Sequence, residues 1–291
     1  MTQAAPLSPT PPEPGLGGVD LDLWPIHAPE SAAYAERVAA ARADLRAEGC
    51  AVMAGFIRPE ARAALEAEVA AIADKAHFSQ GRITPYFNED EPDRPEGHPR
   101  RRFADFSNGF VAMDWFPEDG FCLSLYRDPA FQRFVADCLE EPELHTFDDP
   151  LAGVVANIMP EGSALPWHFD TNEFIVSLLT RRPESGGAFE YCPDLRAPGD
   201  ERYDAVEAVL DGAREPVRSL SLNLGDLQLF RGRFSMHRVR EGVGERHTAI
   251  FGYAKQPGFI GRVARTRQVH GRVTQAHLDA EKTARADGLD D

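Results

Sequence analysis

The sequence predicts a mainly β fold of the α+β class, with a layer of helices contributed by the N-terminal half. Two patterns lead to this prediction. Up to about residue 150 the long periodic segments are helical, whereas beyond residue 151 short apolar or alternating runs recur between turn residues. Eight such runs in succession favour antiparallel sheets arranged as a sandwich or a barrel.

The N-terminal half opens with a leader rich in proline and glycine, residues 1–18, which has little to bury and is expected to be disordered. Residues 31–48 then show apolar side chains at three- and four-residue spacings, which predicts an amphipathic helix. A short apolar strand over 50–57 and a second helix over 58–76 follow, the latter with proline in its first turn. A third helix is predicted over 128–139.

Between the second and third helices lies a charged, proline-rich segment, residues 84–102, which is predicted to be a loop able to cover a site. Its basic cluster, His98–Arg102, is most simply a solvated run of charge. The sharper interpretation is a lid that faces the substrate, with Arg102 as a candidate contact.

The strands predicted in the C-terminal half are short and separated by turn residues. They span residues 153–159, 165–170, 174–180, 188–191, 217–222, 226–231, 234–240 and 247–254. One domain is expected over 19–278, with a helical support over 19–150, a β core over 151–255, an extension over 256–278 and a flexible tail over 279–291.

The charge balance and the apolar content exclude several partners. The chain has 31 Lys and Arg against 47 Asp and Glu, a net charge of −16 at pH 7, whereas a nucleic-acid-binding domain needs a basic face. No run approaches the length of a membrane span and the first residues do not resemble a signal peptide, so a cytoplasmic protein without a membrane partner is expected. The 4 widely spaced cysteines fit reduced thiols better than disulfides or a zinc site.

A candidate metal site begins in the strand predicted over 165–170. Side chains alternate along a strand, so His168 and Asp170 share one face, where an imidazole and a carboxylate can bind a divalent metal. A later strand carries His237, which can supply a third ligand. The pattern His-x-acid is weak alone, because it also occurs at His277, where neither a sheet nor a downstream histidine accompanies it.

Two histidines and one carboxylate on one side of a metal leave three adjacent positions, the arrangement expected for non-heme Fe(II) that binds a cosubstrate and oxygen. After His237 the chain turns through residues 241–245, whose two glycines indicate a hairpin. The hairpin would bring Arg246 and Thr248 beside His237, as a guanidinium and a hydroxyl able to bind a carboxylate. The alternative for Arg246 is a surface ion pair with a glutamate of the turn.

His168-x-Asp170, the distant His237 and Arg246-x-Thr248 together resemble the Fe(II)/2-oxoglutarate-dependent dioxygenases over about residues 150–255. The segments Asn-Ile-Met-Pro-Glu-Gly, Gly-Gly-Ala-Phe-Glu-Tyr and Gly-Asp-Leu are similar to those of the bacterial branch that contains free amino-acid hydroxylases and halogenases. The resemblance implies a double-stranded β-helix, or jelly-roll, core. Halogenating relatives have Gly or Ala in place of the carboxylate ligand, which frees a coordination site for chloride, so Asp170 argues against halogenation.

By this resemblance His168, Asp170 and His237 would hold Fe(II), and Arg246 with Thr248 would bind the 5-carboxylate of 2-oxoglutarate, with O₂ as the second cosubstrate. The implied reaction is hydroxylation of an unactivated C–H bond of a small molecule, with release of succinate and CO₂. A free amino acid or a derivative is the first candidate substrate.

Three further residues are weaker candidates. Asn157 lies in an apolar strand, where a buried amide needs partners, and 2-oxoglutarate could be one of them. Asn172 and Glu173 directly follow the proposed metal ligands and could contact the substrate. The alternative for both is capping of the strand end.

Two other functions stay open at this point. A cupin-like metal protein, either an isomerase or a sensor, would not turn over 2-oxoglutarate and would have no need of Arg246-x-Thr248. The same oxygenase could instead act on a protein side chain or on a carrier-bound group. An open groove would favour that substrate, whereas a pocket closed by the 84–102 loop would favour a free small molecule.

Overall fold

The computed structural model describes residues 15–283 of the chain, and within that range the chain forms seven α-helices and fifteen strands. The helices are α1 (Ala32–Glu48), α2 (Pro59–Ala70), α3 (Phe121–Arg127), α4 (Pro129–Leu139), α5 (Tyr203–Leu210), α6 (Val263–His270) and α7 (Gln275–Thr283). The strands are β1 (Cys50–Met53), β2 (His77–Ile83), β3 (Ala104–Val111), β4 (His145–Thr146), β5 (Val154–Met159), β6 (Leu165–His168), β7 (Ile175–Arg181), β8 (Ser185–Gly186), β9 (Phe189–Cys192), β10 (Arg218–Leu220), β11 (Leu227–Phe230), β12 (Met236–Val239), β13 (Gly242–Val243), β14 (Arg246–Phe251) and β15 (Tyr253–Ala254).

Two antiparallel sheets form the β core. The large sheet has the strand order β1-β11-β7-β14-β5-β3-β2, and the small sheet has the order β10-β9-β12-β6. Two short ladders, β13 with β8 and β15 with β4, lie outside them. Side chains of both sheets line one cavity between them, so the predicted α+β fold with a jelly-roll core is confirmed.

The N-terminal helices cover the outer face of the large sheet. Leu178 of β7 and Leu229 of β11 are fully buried in the same apolar cluster as Leu65 of α2 and Phe131 of α4. Since successive side chains of a strand point to opposite faces, the other face of this sheet is left to the cavity. The predicted layer of helices is therefore confirmed.

Capping residues set the ends of the predicted helices. The Ser31 hydroxyl accepts a hydrogen bond from the Tyr34 N–H at 3.1 Å, and Gly49 ends α1 with a left-handed φ of 63°. At α4 the Asp128 carboxylate accepts a hydrogen bond from the Ala130 N–H at 2.8 Å. Both helices begin one residue after the predicted start, as expected when that residue is the cap.

Strands β2 and β3 were not predicted, and they extend the large sheet into the N-terminal half. Together with β1 they pair within the same sheet as β5, β7, β11 and β14, so the β core does not begin at residue 151. Their sequence lacks a clear alternation because glycines interrupt it and polar Asn108 is buried. Helices α3, α5, α6 and α7 were likewise not predicted.

Both ends of the described chain are more ordered than the sequence suggested. Residues Gly15–Gly18, the last four of the predicted leader, form a 3-10 turn. A β-carbon on Gly18 would lie 2.7 Å from the Phe121 ring, which explains the glycine at this close contact. Helix α7 continues to Thr283, beyond the predicted start of the tail; the rest of the leader and of the tail lies outside the described residues.

All four cysteines are buried and none forms a disulfide, in agreement with their spacing. None of the helices in residues 15–283 is long and apolar enough to cross a membrane.

Candidate metal centre

The small sheet and the segment after β6 bring the three predicted ligands together. His168 of β6 and His237 of β12 are direct cross-strand partners, and their ring centroids lie 4.1 Å apart. Asp170 places Oδ1 3.8 Å from His168 Nε2 and Oδ2 3.4 Å from His237 Nε2. One ligand atom from each residue lies within 4.8 Å of the others, a spacing at which a single metal ion can bind all three.

Backbone carbonyls orient both histidine rings. Nδ1 of His168 lies 2.8 Å from the Pro166 carbonyl oxygen, and Nδ1 of His237 lies 3.0 Å from that of Ser235. Because a carbonyl oxygen can only accept, each Nδ1 carries the proton and donates it. The Nε2 lone pairs are therefore left facing Asp170, available to a metal.

The electrostatics of the three side chains fit a cation. Burial lowers the pKa of His168 to about 3 and that of His237 to about 4, so both imidazoles are neutral. Burial also raises the pKa of Asp170, an effect opposed by His168 and by Arg265. Asp170 Oδ2 is buried and accepts no hydrogen bond from the described residues. Such an oxygen is costly without a positive partner, so this donor set fits a divalent metal.

Gly232, in the turn between β11 and β12, makes room for the carboxylate. Its carbonyl oxygen accepts a hydrogen bond from the Asp170 N–H at 3.0 Å. A β-carbon at Gly232 would lie only 1.7 Å from Asp170 Oδ2, a distance that no side chain could tolerate. This glycine was not singled out in the sequence, because its role depends on the approach of two distant segments.

The proposed ligands face a cavity of about 160 Å³ between the two sheets. The large sheet presents alternate residues to it, as the period of two along a strand requires. Strand β14 contributes Arg246, Thr248 and Ile250, and β3 contributes Phe106, Asn108 and Phe110.

Arg246 and Thr248 reach this cavity from the sheet opposite to His237. Strand β14 pairs with β5 and β7 in the large sheet, whereas β12 belongs to the small sheet. The predicted hairpin over 241–245 is therefore wrong. That segment carries the chain across the sandwich, and β13 within it pairs with β8. Arg246 and Thr248 lie on the same cavity as His237 because the two sheets face each other.

Arg246 is buried, with 8% of its surface exposed. Its Nη1 donates to Thr248 Oγ1 at 2.7 Å, and no carboxylate in the described part of the chain lies within ion-pair distance of it. Glu245 of the turn pairs instead with Arg181 at 2.8 Å. Burial lowers the pKa of Arg246 to about 10, so the group stays charged at neutral pH. A buried guanidinium without an acidic partner is costly, and it fits an anionic ligand.

Asn157 lines the cavity opposite Thr248 in the β5–β14 ladder. Its Nδ2 donates to Asn108 Oδ1 and, at 3.1 Å, to the Gly109 carbonyl oxygen. Since that carbonyl can only accept, the orientation of the amide is set and both its N–H groups are used within the sheet. In this structure Asn157 joins β5 to β3 and has no N–H group left for a carboxylate of 2-oxoglutarate.

The three predicted substrate contacts lie away from the cavity lining. Asn172 and Glu173 are exposed, because β6 ends at His168 and the chain turns outward after Asp170. Glu173 pairs with Lys255, with 2.5 Å between Oε2 and Nζ. Arg102 pairs with Asp211, with 2.8 Å between Nη1 and Oδ1. None of the three lines the cavity in this structure, and their contact with the substrate stays a prediction.

The 84–102 loop nevertheless contributes one residue to the cavity. Phe87 lines it, and the centroid of its ring lies 5.5 Å from that of His168. Its φ of 56° is left-handed, an unfavourable conformation for a phenylalanine and one that is common at functional sites. In the basic cluster of the loop two arginines pair with acids of the same loop, Arg100 with Glu91 and Arg101 with Asp90, and both are only partly exposed.

Arg265, on α6, is another cavity residue that sequence reasoning missed. Its guanidinium carbon lies 5.0 Å from the centroid of the Phe87 ring. No motif in the extension over 256–278 pointed to it. A lone arginine on a short helix has no local pattern that would distinguish it from a surface residue.

Comparison with known proteins agrees with the geometry. A sequence model of the Halogenase D family matches residues 33–259. No curated protein matches the sequence.

Three solved structures illustrate the similarity in fold. AviO1 from Streptomyces viridochromogenes is 19% identical, with a TM-score of 0.50 over 74% of this chain and 94% of that one. An oxidoreductase of the 2OG-Fe(II) oxygenase family from Burkholderia pseudomallei is 18% identical, with a TM-score of 0.49 over 76% and 92%. A prolyl-4-hydroxylase from Pseudomonas putida is 14% identical, with a TM-score of 0.47 over 75% and 99%. At this identity the match to AviO1 shows a shared fold alone.

Proposed function

The chain belongs to the Halogenase D family, and from that premise we propose that it is a 2-oxoglutarate-dependent hydroxylase of a small molecule. In the proposed reaction one atom of O₂ enters the substrate as a hydroxyl group and the other enters succinate, with loss of CO₂. Fe(II) with 2-oxoglutarate and O₂ supplies, when bound, an oxidant able to remove hydrogen from an unactivated C–H bond.

The presence of a carboxylate at position 170 is the observation that favours hydroxylation over halogenation. Halogenating relatives lack a carboxylate at this position, whereas here the carboxylate lies within 4 Å of both histidines. Gly232 has no side chain, so the turn that contains it leaves space for the Asp170 carboxylate. The carboxylate therefore takes the position that a halide would need.

The remaining site residues have separable tasks. His168 and His237 offer neutral Nε2 atoms, and Asp170 offers the negative charge, so that the three would hold Fe(II) with one positive charge uncompensated. Arg246 and Thr248 add a second positive charge and a hydroxyl from the opposite sheet, where they would bind the distal carboxylate of 2-oxoglutarate. The apolar walls limit the access of water to both groups.

The cover over the cavity supports a small substrate. Phe87 of the 84–102 loop and Arg265 of α6 both line the cavity, which has a volume of about 160 Å³. A cavity of this size, with a loop residue and a helix residue on its lining, favours a free small molecule over an extended protein segment or a carrier-bound group. A free amino acid or a derivative is retained as the first substrate class to be tested.

Calorimetry on the Mn(II)-loaded protein tests the proposal without relying on turnover. We expect 2-oxoglutarate to bind, and we expect Arg246→Ala to weaken that binding by more than about tenfold because a charge-assisted contact is lost. Aerobic incubation with Fe(II) should then produce succinate. Absence of binding, or binding indifferent to Arg246→Ala, would favour the cupin-like isomerase or sensor.

A further inference from the structure

We propose that Arg265 binds a carboxylate of the substrate, and that the substrate is a largely apolar carboxylic acid without a second charged group. The inference rests on the proposed function, because it concerns the same cavity. It narrows the substrate class from free amino acids to acids whose amine is absent or acylated.

The position of Arg265 is the first support. Helix α6 lies against β2 and β3, and the Ser79 hydroxyl of β2 donates to the Gln268 carbonyl oxygen of the helix. This packing places Arg265 over the face of Phe87, which in turn contacts the ring of His168. One aromatic ring therefore separates the guanidinium from a proposed metal ligand, a span that a small substrate could bridge.

The hydrogen-bonding state of Arg265 is the second support. Its Nη1 donates to Gln268 Oε1 at 2.8 Å, and no carboxylate between residues 15 and 283 lies within ion-pair distance of its guanidinium. Nearby Arg272 differs, since it pairs with Asp114 at 2.6 Å. The planar guanidinium thus keeps donors free at the cavity, in a geometry suited to a carboxylate.

The charges of the cavity lining are the third support. Apart from the two histidines, its ionisable side chains are Asp170, Arg246 and Arg265. Asp170 belongs to the proposed metal site and Arg246 to the proposed 2-oxoglutarate site, so Arg265 is the cation left for the substrate. No lining carboxylate is left for an ammonium group, whose burial without one would be costly.

The walls near α6 indicate the rest of the substrate. Phe106 and Phe110 of β3 and Val269 of α6 line the cavity beside Phe87. These side chains can bury an apolar body. The polar residues of the same region, Ser79, Asn108 and Gln268, carry no charge and are already hydrogen-bonded within the protein. A carboxylate at one end and an apolar body directed toward the metal site satisfy both regions.

Calorimetry with matched probes tests the inference on the protein loaded with Mn(II) and 2-oxoglutarate. The probes are N-acetyl-L-leucine and N-acetyl-L-phenylalanine, the corresponding carboxamides, and free L-leucine and L-phenylalanine. We expect each N-acetyl acid to bind at least about tenfold more tightly than its carboxamide, as the loss of a charge-assisted contact implies. We also expect it to bind more tightly than the free amino acid.

Two variants on the same helix separate the role of Arg265 from a general effect. Arg265→Gln should make each acid and its carboxamide bind equally, while the affinity for 2-oxoglutarate stays unchanged. Arg267→Gln is the matched control, because Arg267 is exposed on α6 like Arg265 but does not line the cavity; it should keep the preference for acids.

The outcomes distinguish this inference from the proposed function. If 2-oxoglutarate does not bind the wild-type protein, the proposed function fails first. The assignment of Arg265 is wrong if 2-oxoglutarate binds but no acid binds more tightly than its carboxamide. It is also wrong if Arg265→Gln lowers the affinity for 2-oxoglutarate instead of the affinity for the acids. If the free amino acids bind more tightly than the N-acetyl acids, the inference that the substrate has no second charged group is wrong.

Discussion

His277 Nε2 donates a hydrogen bond to Asp149 Oδ2 at 3.0 Å, between two side chains that are both completely buried. The direction follows from Nδ1 of the same ring, which accepts from the Thr274 N–H at 3.1 Å. Asp149 Oδ2 also accepts from the Gly261 N–H at 2.9 Å. The Asp149 carboxylate therefore holds the segments on both sides of α6, the helix that carries Arg265.

We expect His277→Ala to destabilise the protein by about 2–4 kcal/mol, because it leaves a buried carboxylate with one partner fewer and opens a cavity. The released α6 should raise the KM for the organic substrate more than it lowers kcat. Denaturant unfolding and steady-state kinetics measure the two effects. His27→Ala is the control, because His27 is exposed, and it should stay within about 0.5 kcal/mol of the wild type. An unchanged KM in a destabilised His277→Ala protein would show that the contact is purely structural.

Asp170→Ala should abolish hydroxylation without lowering the free energy of unfolding of the metal-free protein. The substitution removes a buried oxygen that has no hydrogen-bond partner and leaves the apolar core intact. We expect the metal affinity to fall by more than the ~10- to 100-fold that is typical when a residue supporting a metal ligand is replaced. Metal titration and product analysis measure these effects, and Asp105→Ala, at an exposed position of β3, is the control. Full activity of Asp170→Ala would refute the ligand assignment.

Chloride supplied to Asp170→Gly tests the same ligand from the opposite direction. Removal of the carboxylate leaves space beside the two histidines, so a chlorinated product should form, with an activity that we expect to be weak. Mass spectrometry detects the product. The same incubation with the wild-type protein should give the hydroxylated product alone.

Gly232→Ala should weaken metal binding although residue 232 is not a ligand. Its β-carbon would overlap Asp170 Oδ2, at a distance of 1.7 Å, and would force the carboxylate away from the histidines. Metal titration of the purified variant measures the loss, for which we expect about tenfold or more. Gly97→Ala is the matched control, because its β-carbon would meet only the end of the Glu207 side chain at 3.2 Å. Equal metal affinity of the two variants would contradict the role of Gly232.

The sequence was informative where the relevant rule is local. The alternation of side chains predicted that His168 and Asp170 lie together. They do, although β6 ends at His168, and the predicted third ligand, His237, is the cross-strand partner of His168. The segment 241–245 misled because a glycine-containing turn has the same local sequence whether the chain returns within one sheet or crosses to the other. Its outcome depends on the topology of the sandwich, which no short segment encodes.

Phe87 and Arg265 could not be found from the sequence for a related reason. Their position on the cavity depends on the packing of α6 and of the 84–102 loop against strands that lie far away in the chain. Strand β3 was not predicted because the residues that it turns to the cavity include polar Asn108 between Phe106 and Phe110. The alternation of apolar and polar residues is therefore broken where the strand lines the cavity. Sequence patterns favour regular cores, and a binding cavity is the place where the pattern is interrupted.

Arg246→Met should raise the stability of the protein while it abolishes the binding of 2-oxoglutarate. Replacement of a buried guanidinium that has no acidic partner among residues 15–283 by an apolar side chain of similar length is expected to stabilise the metal-free protein by about 1 kcal/mol or more. The same change should remove the binding of 2-oxoglutarate, since Thr248 alone offers no charge. Thermal unfolding and calorimetry measure the two quantities, and Arg240→Met, at an exposed position, is the matched control. A loss of stability in Arg246→Met would mean that the guanidinium serves the fold, and the case for an anion site at Arg246 would then fail.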